Sequence, residues 1–138
     1  AGVADSARFV SLTADDELIT RLGLGEPHLE GYLFPETYFI KEGATEEVII
    51  ERMVTEFFEV FADSLYARLD TVGFSLHEAV TLASMVEREA VVQKERPIIA
   101  SIFHRRLKLK RRLESCATVE FALGIHKKRL TNADLRVE

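Results

Sequence analysis

A chain of 138 residues with 47% hydrophobic and 30% charged residues has material for one modest core, which excludes a disordered or fibrous class. Its formal net charge of -5 argues against a surface that binds nucleic acid as a whole, and its single cysteine excludes a disulfide framework or a cysteine-based metal site. Seven glycines, three prolines and no repeat or linker make one domain the default, and no run of about 18 apolar residues is present to cross a bilayer.

The first predicted helix is TADDELITRL, residues 13–22, opened by Thr13 with Asp16 at capping-box spacing and stopped before Gly23. A polar, turn-rich passage follows. EGYLFPETYFI, Glu30 to Ile40, sets aromatic and β-favouring residues around Pro35, which predicts short extended pieces meeting at a bend. Residues 45–69 carry Val48, Ile49, Met53, Phe57, Val60, Phe61, Leu65 and Leu69 at helical spacing, so one core helix or a close pair is expected. FSLHEAV then supplies a capping box from Ser75 to Glu78, which starts a helix near Ser75. Pro97 suits the first turn of a further helix through Ile98, Ile99, Ile102, Phe103 and Leu107. Shorter helices are expected at Ala117–Leu123, closed by Gly124, and after Thr131, where Asp134 stands at capping-box spacing. The predicted class is mainly α with minor strand content near Glu30–Ile40.

The helix from Ser75 carries the question of chemistry. At about 100° per residue, His77, Thr81, Ser84 and Arg88 share a polar side and apolar residues cover most of the remainder. Glu87 falls near Val80 and Ala83, in the middle of the apolar arc, whereas Glu89 points the other way, beside Leu82 and Met85. A divergence of roughly 200° prevents the two from flanking one scissile bond as paired carboxylates do. At most one is a working acid. The competing explanation is a solvated or ion-paired glutamate, with Arg88 and Arg96 nearby. Periodicity does not choose between the two.

Several motifs in fixed order carry a resemblance: EGYLFPETY at Glu30–Tyr38, ASMVEREA at Ala83–Ala90, ERPIIASIFHRRL at Glu95–Leu107, LESCATVEFALG at Leu113–Gly124 and LTNADL at Leu130–Leu135. Together they resemble the YceG-like, MltG-type endolytic murein transglycosylases. The resemblance implies a lysozyme-like helical catalytic subdomain, part of an α+β domain in the full family. It also implies that Glu89, second of the E-x-E pair, is the catalytic acid. The implied reaction cuts the β-1,4 bond between N-acetylmuramic acid and N-acetylglucosamine within glycan strands and leaves 1,6-anhydro-muramyl ends. Glu87 is then expected to be a buried structural group.

Around that acid, Glu36, Tyr32 and Tyr38 are expected to hold the glycan, because sugar rings offer apolar faces to aromatics and hydroxyls to polar groups. A lone acid orients a polymer poorly, so the aromatic motif is expected along the same groove as Glu89. Ser115 and Thr118 are candidates for the other wall. Cys116-Ala117 stands where related sequences commonly have Asp-Pro, and Cys116 is expected to be a small buried residue; Arg105 stands where asparagine is common. Arg105, Arg106, Lys108, Lys110, Arg111 and Arg112 form a basic patch. It is either an attractor of anionic wall polymers, peptide stems or lipid headgroups, or a solvated helix end complementing the helix dipole.

No metal and no cofactor are expected: His28, His77, His104 and His126 lack ligand spacing. An older label for the family, aminodeoxychorismate lyase, implies a pyridoxal phosphate lysine, yet Lys41 and Lys94 lack a recognisable phosphate cup. A non-catalytic glycan-binding or scaffold module is the other alternative. The resemblance implies peptidoglycan strands and the cell-wall synthesis machinery as partners, no nucleic acid, and a site outside the bacterial cytoplasmic membrane. Family members begin with a membrane anchor and a LysM-like region and continue past LTNADL, so residues 1–138 are expected to be a single-domain fragment of a YceG-like catalytic domain.

Overall fold

Helix starts are set by short polar side chains that accept from exposed backbone N–H groups. Asp5 caps α1 (Ser6–Leu12), Asp15 caps α2 (Asp16–Arg21) and Thr45 caps α3 (Glu46–Val60). There follow α4 (Asp63–Val72), α5 (Leu76–Glu89), a short 3-10 turn (Gln93–Glu95), α6 (Arg96–Lys108) and α7 (Cys116–Leu123). This computed structural model describes residues 4–124, and the helix expected after Thr131 lies outside them. The mainly α expectation holds.

Two local expectations are corrected. Thr13 is the C-cap of α1, a helix the periodicity missed, and the start of α2 belongs to Asp15, whose carboxylate accepts from Leu18 N at 2.8 Å. No strand occurs among the described residues. Glu30–Ile40 has no neighbouring strand to form a ladder with; instead Phe34 N donates to Met53 O of α3 at 3.3 Å and the Tyr38 hydroxyl to Phe34 O at 2.7 Å.

Packing divides the chain between His77 and Glu78 into two compact units. In the first, α1 lies against α3. Arg8 reaches Glu46 at 3.3 Å and Glu47 at 3.2 Å, and Arg21 of α2 reaches Glu51 at 2.7 Å. The buried side chains are Leu18, Ile19, Leu24, Leu29, Tyr32, Ile50, Val54 and Phe57. On α3 the buried face therefore runs Ile50, Val54, Phe57, while Val48 and Val60 from the expected stripe are exposed. Of the two expected forms, one helix or a pair, the segment takes two consecutive helices, α3 and α4, and α4 ends at Gly73, whose φ of 74° favours a residue without a Cβ.

In the second unit Met85 and Val86 of α5 pack with Phe103 of α6, flanked by Leu82, Ile99, Ala100 and Leu113. Pro97 occupies the first turn of α6, as its missing N–H predicts. The other end of α6 forms a Schellman closure: Lys110 N donates to Leu107 O at 2.9 Å and Arg111 N to Arg106 O at 2.9 Å. Lys110 takes the left-handed position of that motif, at φ 51°.

Candidate active site

Leu82, Met85, Val86 and Glu89 follow the i, i+3, i+4, i+7 spacing of one helix face. The first three enter the core of the second unit, and Glu89 is the half-buried end of the same stripe. A carboxyl in the last turn of a helix stands against the dipole, which favours cations there. Glu89 is nonetheless held. Ser115, itself only 3% exposed, donates its hydroxyl to Glu89 Oε1 at 2.6 Å. One residue earlier, Arg88 Nη2 pairs with Glu120 Oε2 at 2.7 Å, so neighbouring side chains of α5 grip both the start and the middle of α7.

The surrounding backbone is equally constrained. After Glu89 the chain turns through Val91 and Val92, whose N–H groups donate to Glu95 Oε2 at 3.1 and 3.2 Å. Before Ser115, Glu114 adopts φ 52°, a left-handed conformation that costs a non-glycine residue roughly 1 kcal/mol. Arg106 secures that bend by donating to Leu113 O and by pairing with Glu114 Oε2 at 3.1 Å. Thr118 Oγ1 donates to Ser115 O at 2.7 Å, which fixes the peptide carrying the serine. Glu89 and Ser115, 26 positions apart, are thus brought together, with Thr118 bound to the serine's carbonyl.

Glu87 corrects an expectation. Its side chain is 73% exposed and stands 3.7 Å from Arg96, because the buried face of α5 follows Leu82, Met85 and Val86 rather than Val80 and Ala83. Cys116 is likewise exposed, not buried: the inward place belongs to Ser115 and the next residue starts α7 on the outside. The basic patch divides. Arg105, Arg106 and Lys108 fall in the last turn of α6, where cations complement the dipole, and Arg106 is drawn into the loop before α7.

Glu36, Tyr32 and Tyr38 belong to the first unit. Tyr32 is 1% exposed, with its ring edge-on to Phe57 at a centroid distance of 5.1 Å and its hydroxyl 3.2 Å from His77 Nδ1. Such a ring has no open face for a sugar, which corrects its assignment as a platform. Burial, then the nearby Glu26 carboxylate and the Tyr66 hydroxyl, push the Tyr32 phenol from 10.0 up to about 12. Glu36 is exposed and accepts from Thr37 N at 2.8 Å. Tyr38 is half-buried, and Phe39 is fully exposed.

The YceG-like family model matches residues 3–138. The chain belongs to the YceG-like family. Among curated relatives, an "Endolytic murein transglycosylase" of Bacillus subtilis (strain 168) is 37% identical over 111 residues, covering 80% of this chain and 31% of the relative. A protein of the same name from Streptococcus pneumoniae serotype 2 is 35% identical over 96 residues, 70% of this chain and 17% of its own length. The chain thus spans less than a third of the curated relatives it matches. A crystal structure of a YceG-like protein from Listeria monocytogenes superposes with a TM-score of 0.84 at 31% identity, over 97% of this chain and 49% of that one. No helix among the described residues of this YceG-like chain is long and apolar enough to cross a membrane.

Two side-chain pairings, one in each unit, escaped sequence reasoning. Glu120 partners Arg88 across 32 positions without any local spacing that announces it. His77, set aside for lack of metal-ligand spacing, closes a cluster with Tyr32 and with Glu26, whose carboxylate lies 3.4 Å from Nδ1. An aromatic run followed by a distant histidine on the polar side of a helix was the only available signal.

Proposed function

We propose that this YceG-like chain carries the acid of a peptidoglycan lytic transglycosylase, acting on glycan strands outside the bacterial cytoplasmic membrane. The supporting observation is the Glu89 carboxyl, seated at the end of an apolar stripe with one oxygen held by Ser115, in a chain related to proteins named endolytic murein transglycosylase. Protonated Glu89 gives its proton to the glycosidic oxygen as the bond from muramyl C1 to that oxygen breaks. The N-acetylglucosamine leaves with a free 4-hydroxyl. The Glu89 carboxylate then takes the proton of the muramyl C6 hydroxyl as its oxygen bonds to C1, which closes the 1,6-anhydro ring and restores the acid.

One carboxyl serves both transfers, so Glu87 has no part. Glu36 and Tyr38 are the proposed glycan contacts of the first unit: an exposed acceptor for sugar hydroxyls and a ring with an accessible portion. Thr118 is a proposed contact beside Glu89.

The test is digestion of purified glycan strands followed by mass spectrometry. Glu89→Gln keeps shape but cannot transfer the proton, so turnover is expected to fall by about 10²–10⁴-fold while Glu87→Gln cuts at the native rate. Native products should lack the one water that hydrolysis adds. Native-rate cleavage by Glu89→Gln, or products ending mainly in reducing sugars, would refute the proposal.

A further inference from the structure

We infer that Ser115 is a positioning residue for Glu89, selecting Oε2 as the oxygen through which both protons move. The inference rests on the reading of Glu89 as the acid. A carboxyl that must first give and then accept a proton needs one oxygen aimed at the reacting atoms throughout, and rotation about its terminal bond would exchange the two. Ser115 removes that freedom. Its hydroxyl donates to Oε1 at 2.6 Å, within the short range typical of bonds from hydroxyl to carboxylate. At 3% exposure Ser115 is also shielded from competing water.

The segment that carries the serine is held on both sides. Glu114 pays left-handed strain at φ 52° to set the direction of the next residue. Arg106 anchors that bend through Leu113 O and the Glu114 carboxylate. Thr118 Oγ1 binds the Ser115 carbonyl at 2.7 Å, and Arg88 with Glu120 fastens the following helix to α5 at 2.7 Å. A residue that merely filled space would not require its donor to be fixed from both sides. This replaces the expected role of Ser115 as a sugar contact, since its hydroxyl hydrogen is committed to Glu89.

The chemical consequence is specific. Without the donor on Oε1 the two oxygens can exchange, so a bound sugar meets a misaimed acid while its own binding contacts are untouched. In Ser115→Ala kcat is expected to fall about ten- to hundredfold with KM unchanged. Ser115→Thr, which retains the hydroxyl, should restore most of kcat. If Ser115→Ala loses its helical circular dichroism, Ser115→Cys, of similar volume but with a weak donor, is measured in its place with the same expectation. A native kcat in Ser115→Ala overturns the inference, and so does a raised KM at constant kcat, which would make Ser115 a sugar contact. Turnover by Glu89→Gln in the same assay would instead remove the underlying reading of the acid.

Discussion

Tyr32 shows how one side chain can be recruited by packing away from the surface its composition suggests. In GYLFPETYF the aromatics look alike, yet Tyr32 is enclosed while Phe39 stands fully in solvent. Alternation cannot distinguish them, because the segment has no strand partner to give its faces a period. Tyr32→Phe removes the bond to His77 and is expected to cost about 1 kcal/mol at neutral pH. Because the folded phenol is pushed from 10.0 to about 12, the folded state holds its proton where the unfolded chain has lost it. That stabilisation is complete below pH 10 and is lost as pH rises towards 12. Urea titrations should therefore show the native protein's advantage over Tyr32→Phe shrinking across that window; an advantage that grows with pH would contradict the assignment. The two glutamates of α5 carry the same lesson. Their divergence was legible from spacing, but the buried side was not, because apolar residues cover most of that helix and only the partners Phe103, Ile99 and Leu113 decide which arc is inward.

The helices themselves were largely written in local chemistry. Ser75 before α5, Pro97 in the first turn of α6 and Gly124 after α7 stand where their geometry requires them. Errors arose where two capping residues competed: Thr13 and Asp15 both precede DELITR, and the carboxylate took the exposed N–H of Leu18. The end of α6 was legible to within a residue, at Leu107, but its closure was not, since Lys110 does the work usually given to glycine. That departure is testable. Lys110→Gly relieves left-handed strain of roughly 1–2 kcal/mol but gives back part of it through the greater freedom of the unfolded chain. A net gain of about 0.5–1 kcal/mol in urea unfolding is expected, with helical content unchanged. A loss of stability would mean that the lysine side chain contributes more than its backbone costs.

The division at His77 and Glu78 had no sequence mark because it falls inside the first turn of α5, where a linker of glycine, proline or serine would break the helix. Each unit has its own core, and they are not equal. Leu29, Tyr32, Ile50 and Val54 in the first are essentially sealed, whereas the best-buried apolar side chains of the second, Met85, Val86 and Phe103, retain 6–7% exposure. Sealed side chains make the opening of the helix that carries them more costly, since water must reach every apolar surface exposed. Native-state hydrogen exchange should accordingly find the amides of α3 around Ile50 and Val54 more protected than those of α6 around Phe103, with the second unit opening at lower free energy. That order also suits the chemistry proposed for Glu89, whose surroundings would carry more freedom to admit a polymer than the core of the first unit does. A Val54→Ala substitution should lower the protection of α3 while leaving that of α6 nearly unchanged. If both helices exchange at one common free energy and fall together in the variant, the chain unfolds as one cooperative body, and the two units have no separate thermodynamic existence.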